Sequence, residues 1–281
     1  MPLIDGRKIA GDIAVRTKER VLKLIKNGVQ PHLAVLLVGD DTASQTYVRT
    51  KGKVARKSGI NFSLTELPTS SSKKTIIDTI QDIQSNPAIT GLIVQLPLPH
   101  REWENDVVNT IHPHIDVDCL TDTNLGKLVS ETNIIVPPTP GAVLDILESL
   151  GIHPAGKRVV IVGTGTLVGK PLAIMMMNRE ATVISCNVQT ANLKDLTKTA
   201  DILVSAVGKK HLIIEDMVKK GAIVIDAGVD FDNGEMFGDV DVEHVQTRAA
   251  YVTPTPGGVG PLTVARLLEN TVALTEQHAT S

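Results

Sequence analysis

The sequence predicts an α/β protein of two domains, each built on a parallel sheet, the second of them Rossmann-like. Three observations lead there. Short Val/Ile/Leu-rich runs alternate with longer helical patterns, the rhythm of βαβ units. The runs lack polar alternation, so each strand must be buried on both faces, which favours a helix-covered parallel sheet over a sandwich. One run ends in a glycine-rich turn that opens a helix.

Taken in order, residues 33–38 read as a strand, followed by a helix to about Lys57, a strand near Phe62, a helix over 73–83 and a strand over 91–95. The pattern resumes after Pro137-Pro138-Thr139-Pro140 with a helix over 142–149 and strands over 158–162, 182–186, 202–207 and 222–226. An amphipathic helix over 262–274 follows and is expected to pack back across the first domain. The joint lies between Pro97 and Pro140. It gives a first domain of residues 1–120, completed by the C-terminal helix 262–281, and a second of residues 121–261.

At 281 residues and 42% hydrophobic content the chain has material for about two cored domains. A net charge of −3 removes any electrostatic argument for a nucleic-acid or acidic-membrane partner. The longest apolar runs have strand length, so no membrane span is expected. Cys119 and Cys186 lack CxxC spacing, and Met1-Pro2-Leu3-Ile4-Asp5 has no apolar signal core; the expected setting is reducing and cytoplasmic.

Two stretches carry chemistry. Tyr47 and Lys51 stand four apart in a helical stretch, which puts a phenol and an ammonium on one helix face. With only two tyrosines in the chain, a ring that stacks on a flat heterocycle beside a partly desolvated lysine is one reading. A solvated basic helix face with Tyr47 at its edge is the other. The second stretch is Gly163-Thr164-Gly165-Thr166-Leu167-Val168-Gly169, which directly follows the strand ending at Val162. A strand, a tight turn and a helix start form a docking place for a dinucleotide pyrophosphate, although the spacing is one residue longer than the common fingerprint. Close packing of strand on helix would ask for the same glycines. After the next strand, Ser185-Cys186-Asn187-Val188-Gln189-Thr190 offers neither the carboxylate expected for NAD nor the arginine expected for NADP. The run His112-Pro113-His114-Ile115-Asp116-Val117-Asp118 has metal-ligand residue types but no recognised ligand spacing, and no metal is expected.

Taken with Gly91-Leu92-Ile93-Val94-Gln95-Leu96-Pro97-Leu98-Pro99, Asp116-Val117-Asp118 and Pro254-Thr255-Pro256-Gly257-Gly258-Val259-Gly260-Pro261, the Tyr47/Lys51 pair makes the chain resemble, nearly end to end, the bifunctional methylenetetrahydrofolate dehydrogenase/cyclohydrolases of the FolD family. The resemblance implies a homodimer whose active site lies in the cleft between the domains. It implies oxidation of 5,10-methylenetetrahydrofolate, with NADP as the usual acceptor, and hydrolysis of the methenyl product to 10-formyltetrahydrofolate. It further implies Lys51 as the catalytic lysine, Gln95 as its hydrogen-bonding partner, Tyr47 as the ring stacked on folate and Asp118 as the carboxylate holding the pterin. Pro256, Gly257 and Gly258 would approach the substrate, and Gly163, Thr164, Gly165, Val188 and Val229 would touch the nucleotide. Tetrahydrofolate derivatives are therefore the expected partners.

The pattern departs from the family at three places. Gly163-Thr164-Gly165 stands where Gly-Arg-Ser is usual, Cys186-Asn187-Val188 where Cys-His-Ser is usual, and Cys119 where a glycine is usual. Thr164 offers no planar cation for a 2′-phosphate, so NADP affinity should be weakened and NAD use is possible. Lys170 and Arg179 are the cations considered as substitutes. Alternatives to the bifunctional enzyme are a cyclohydrolase with weak or lost dehydrogenase activity and a non-catalytic folate-binding protein.

Overall fold

The run at residues 33–38 offers water no polar face, so it is stable only when covered on both sides. In a computed structural model of the chain, which describes residues 3–232 and 235–280, it forms a central strand. In chain order the elements are α1 (Gly6–Lys26), β1 (His32–Val38), α2 (Thr42–Lys57), β2 (Asn61–Leu67), α3 (Lys73–Gln84), β3 (Gly91–Val94), α4 (Glu104–Val108), α5 (Asp122–Val129), α6 (Pro138–Ser149), β4 (Arg158–Val162), α7 (Gly169–Met177), β5 (Thr182–Cys186), α8 (Leu193–Thr197), β6 (Ile202–Ser205), β7 (Ile223–Asp226), β8 (Asp230–Asp232), β9 (Glu235–Phe237), α9 (Val242–Val245), β10 (Tyr251–Val252) and α10 (Val259–Thr280). They form two compact units, residues 13–136 with 267 onward, and the first 12 residues with 137–266.

In the first unit the parallel order is β2-β1-β3, with Leu33 opposite both Phe62 and Gly91. Asp41 caps α2 by accepting from Ser44 N at 2.7 Å, and Ser72 caps α3 by accepting from Thr75 N at 3.1 Å. Ile76 and Ile80 of α3 pack on Leu36 and Leu92. Residues 267 onward of α10 belong to this core: Asn270 Nδ2 donates to Val117 O at 2.8 Å and to Val136 O at 2.7 Å. Residues 121–136 thus group with the first unit and the first 12 residues with the second, where the sequence reading put 1–120 in the first domain and 121–261 in the second. The sequence reading also passed over α1, whose buried Ile13, Thr17, Val21 and Leu24 are spread thinly among charged residues.

The second unit has the parallel order β10-β7-β6-β4-β5. Chain growth runs from β4 to β5 on one side and then reverses to β6, β7 and β10 on the other, which makes the carboxyl ends of β4 and β6 the switch point where such sheets bind ligands. The core joins Val160, Val162, Leu203 and Val224. The two-residue β10 and the antiparallel β8–β9 ribbon are too short to show in the hydrophobic pattern. α10 starts at Val259, three residues before the expected Leu262, because Pro261 sits in its first turn, where no backbone donor is needed.

Candidate active site

The Asp41 cap fixes the register of α2, and one turn apart on its face Tyr47 and Lys51 meet. The Lys51 ammonium lies 4.5 Å from the centre of the Tyr47 ring and donates to Gln95 Oε1 at 3.1 Å. Gln95 directly follows β3; its N–H donates to Leu36 O at 2.8 Å and its Nε2 to Leu96 O at 2.6 Å, which turns Oε1 toward the lysine. Lys51 is 5% exposed, which decides against the solvated basic face, while Arg49 and Lys53 on either side are exposed. Burial lowers the Lys51 pKa and the charge of Asp118 pulls it back up. Burial likewise holds the Tyr47 hydroxyl well above its ordinary range.

Asp118 completes the group electrostatically. Burial raises its pKa to about 6, with Lys51 opposing that shift and Asp116 adding to it. Its loop is shaped by Asp116, a residue the sequence reading gave no role. Asp116 accepts from Thr121 N at 2.9 Å, from the Thr121 hydroxyl at 2.8 Å and from Asn124 Nδ2 at 3.0 Å. Cys119, next in the chain, has φ 57°, a left-handed conformation that favours glycine and costs a side-chain-bearing residue about 1 kcal/mol. Its thiol is buried and donates weakly to Ile135 O at 3.7 Å; burial raises its pKa far from the reactive range. The His112 and His114 rings stack on one another at 4.9 Å. Among the described residues no group of His, Cys, Asp or Glu is placed to hold a metal.

At the glycine turn the three glycines separate by cause. Gly163 has φ 106°, and a Cβ there would lie 2.4 Å from Ala206 O. A Cβ at Gly169 would lie 1.9 Å from Gly163 O, so both are demanded by packing. Gly165 has nothing within 4 Å of an added Cβ. Packing therefore gives no reason for it, and an open turn beside an α7 N-terminus without a side-chain cap fits a pyrophosphate. At the end of β5, Asn187 N donates to Thr190 Oγ1 at 2.8 Å and Gln189 N to Asn187 Oδ1 at 2.9 Å, so these polar side chains close their own turn. Val188 is 95% exposed and Val229 about half-exposed. Arg179 Nη1 donates to Met175 O at 3.0 Å at the end of α7, while Lys170 is exposed in the first turn of that helix. In the loop before α10, a Cβ at Gly258 would meet Pro254 O at 2.6 Å, whereas one at Gly257 would meet only Arg7 at 3.8 Å. Gly258 thus serves packing, while Pro256 is exposed and Gly257 partly so.

Residues 4–118 match the catalytic domain of the tetrahydrofolate dehydrogenase/cyclohydrolases, and residues 137–279 match the NAD(P)-binding domain. The bifunctional protein FolD of Wolinella succinogenes is 44% identical over 274 residues, 97% of this chain and 96% of that one. The bifunctional enzyme FolD, methylenetetrahydrofolate dehydrogenase/cyclohydrolase, of Campylobacter jejuni matches with a TM-score of 0.95 at 37% identity, covering 98% of this chain and 99% of its own. The Trypanosoma brucei dehydrogenase-cyclohydrolase, solved with NADP cofactor and inhibitor, matches with a TM-score of 0.95 at 35% identity, covering 99% of this chain and 98% of its own.

Proposed function

The chain belongs to the tetrahydrofolate dehydrogenase/cyclohydrolase family, and we propose that it oxidises 5,10-methylenetetrahydrofolate to the methenyl form and hydrolyses that product to 10-formyltetrahydrofolate. The observation that carries this reading is a lysine 5% exposed, held 3.1 Å from Gln95 Oε1 over the Tyr47 ring. Water adding to a methenyl carbon must lose a proton, and the nitrogen that departs must gain one. An amine whose pKa is lowered by burial can move that proton. Gln95 keeps the ammonium in place. Tyr47 supplies a flat face for the folate ring system. Asp118, ionised at neutral pH, accepts two N–H donors from an aminopyrimidinone edge. The loop Pro256-Gly257-Gly258, which the family resemblance assigns to the substrate, offers backbone without bulk.

The dinucleotide supplies the hydride acceptor; Gly163, Thr164 and Gly165 would hold it at the turn, and Val188 and Val229 would touch it after β5 and after β7. We further infer that the chain discriminates only weakly between NADP and NAD. Thr164 is neutral, the turn at Asn187–Thr190 uses Asn187 Oδ1 and Thr190 Oγ1 as acceptors for its own backbone N–H groups, and Arg179 Nη1 is bound to Met175 O. A homodimer in the cytoplasm is the proposed working state, supported by the family resemblance; among the described residues no helix is long and apolar enough to cross a membrane. Sedimentation of the purified chain tests the dimer.

The deciding experiment mixes purified protein with 5,10-methylenetetrahydrofolate, follows NADP and NAD reduction in parallel, and assays methenyl hydrolysis separately. Reduction of both nucleotides together with hydrolysis is expected. Hydrolysis without any reduction would leave a cyclohydrolase alone, and folate binding without either activity would leave a binding protein.

A further inference from the structure

Asp226 and Asp239 are carboxylates that the proposed chemistry leaves unused, and they are among the most deeply buried charged groups described, at 1% and 0% exposed. Carboxylates so far from water need a dense set of donors. Asp239 finds its donors on the segment leaving β6: Oδ2 accepts from the Ser205 hydroxyl and from Val207 N, each at 2.7 Å, and Oδ1 accepts from Lys209 N at 2.7 Å. Asp226 ends β7; its Oδ1 accepts from Gly228 N at 3.0 Å and Asp239 N at 3.1 Å, and its Oδ2 from Val240 N at 3.0 Å. The loops that leave β6 and β7 are thereby fastened to one segment, residues 238–240.

The fit around the pair leaves no slack. A Cβ on Gly228 would lie 2.1 Å from the Asp239 carboxyl carbon, and one on Gly238 would lie 1.9 Å from Asp226 Oδ2. Gly208 has φ 74°, and a Cβ there would lie 3.1 Å from Val229 O. What these loops present outward is apolar: Val207 is 46% and Val229 48% exposed. Large apolar side chains held out to water by a rigid frame at the carboxyl edge of a parallel sheet form a surface suited to a flat heterocycle. In a doubly wound sheet the half that carries the glycine turn takes one nucleoside, and the half beyond the switch point takes the other. Here the second half is β6, β7 and β10.

We propose that Asp239 and Asp226 are positioning residues for the dinucleotide, locking the loops after β6 and β7 so that Val207 and Val229 form the platform for its nicotinamide half. The proposal rests on the dinucleotide reading given above.

Asp239→Asn keeps the shape but turns an amide donor toward backbone N–H groups that need an acceptor. In the full chain it should weaken NAD+ and NADP+ binding at least tenfold by calorimetry, while ADP, which carries only the adenosine half, binds within twofold of the wild type. KM for the nucleotide should rise more than kcat falls, and methenyl hydrolysis should stay unchanged. Ser205→Ala removes a single donor, needs no charged group to be refolded, and should weaken NAD+ about threefold with ADP unaffected. Equal weakening of ADP and NAD+ in the folded variants, or unaltered NAD+ binding in Ser205→Ala and Asp239→Asn, would overturn the proposal. A wild-type chain that binds neither ADP nor NAD+ would overturn the dinucleotide reading itself, and needs no variant to be seen.

Discussion

On the proposed function, the Lys51 group and the Gly163 turn serve the same end, a ligand held in place, with opposite materials. Around Lys51 the work is done by side chains: a buried amine, an amide turned by its own neighbours, an aromatic ring and a carboxylate pushed up to about 6. At Gly163 it is done by the absence of side chains, with two glycines forced by packing and one left open. A side-chain site fails when one functional group is changed. A backbone site fails when bulk is added, and its specificity is then decided by whichever side chains border it.

That contrast is broken most sharply at Lys51. Lys51→Met should lower methenyl hydrolysis by about 100-fold or more while folate binding stays measurable, since proton transfer by a placed side chain is worth roughly 10²–10⁴-fold. Unchanged hydrolysis would remove Lys51 from the chemistry. At the other region a gain is expected: Thr164→Arg should improve NADP over NAD by about tenfold, the value of one charge-assisted contact to phosphate. An unaltered ratio of the two kcat/KM values would place the ribose end away from the turn.

The pH response sharpens the side-chain region. Hydrolysis should fall as pH drops through about 6, where Asp118 takes up a proton and ceases to accept two donors. The sign for stability is opposite. The Asp118 pKa is raised above the ordinary carboxylate value of about 3.9, so its ionised form is less favourable folded than unfolded, and stability is lost as pH rises from about 4 through about 6. Asp118→Asn should abolish both features; urea midpoints of the two chains across that window measure the second.

Among smaller effects, Gly169→Ala should destabilise the fold by about 1–3 kcal/mol because its Cβ would meet Gly163 O at 1.9 Å. Gly165→Ala should leave stability within about 0.5 kcal/mol yet weaken NAD(P) binding. Loss of stability at both positions would make the turn a packing device only. Smallest is Cys119, where the Gly variant should be more stable than the Ala variant by about 1 kcal/mol in urea unfolding, since only the former is at ease at φ 57°.

Much of this was legible because the hydrophobic pattern was strong. Residues 33–38, 158–162 and 202–207 carry apolar runs that only a covered strand tolerates, and they mark β1, β4 and β6, the last of which ends two residues earlier, at Ser205. α1 was passed over although its buried Ile13, Thr17, Val21 and Leu24 recur every three or four residues, the spacing of one helix face; the polar Thr17 in that row thins the apolar signal. The β10 strand was missed because two residues make no pattern, yet Ile4 N donates to Val252 O at 2.9 Å and ties the start of the chain to that sheet edge. Asp226 and Asp239 were invisible, since an isolated Asp in a sequence is usually solvated, and Asp116 was seen only as part of the stretch around Asp118, with no role of its own.

By itself the sequence determined the alternation of strands and helices, the glycine turn and the helical spacing that stands Tyr47 beside Lys51, all of which depend on neighbours a few residues apart. Only the tertiary structure decided that Lys51 is buried against Gln95, 44 residues away, and that Gly163 and Gly169 answer to packing while Gly165 does not. The physical reason is common to these. Burial, desolvation and steric closeness are set by chain segments remote in sequence, and a residue's ionisation and the space around it follow from them.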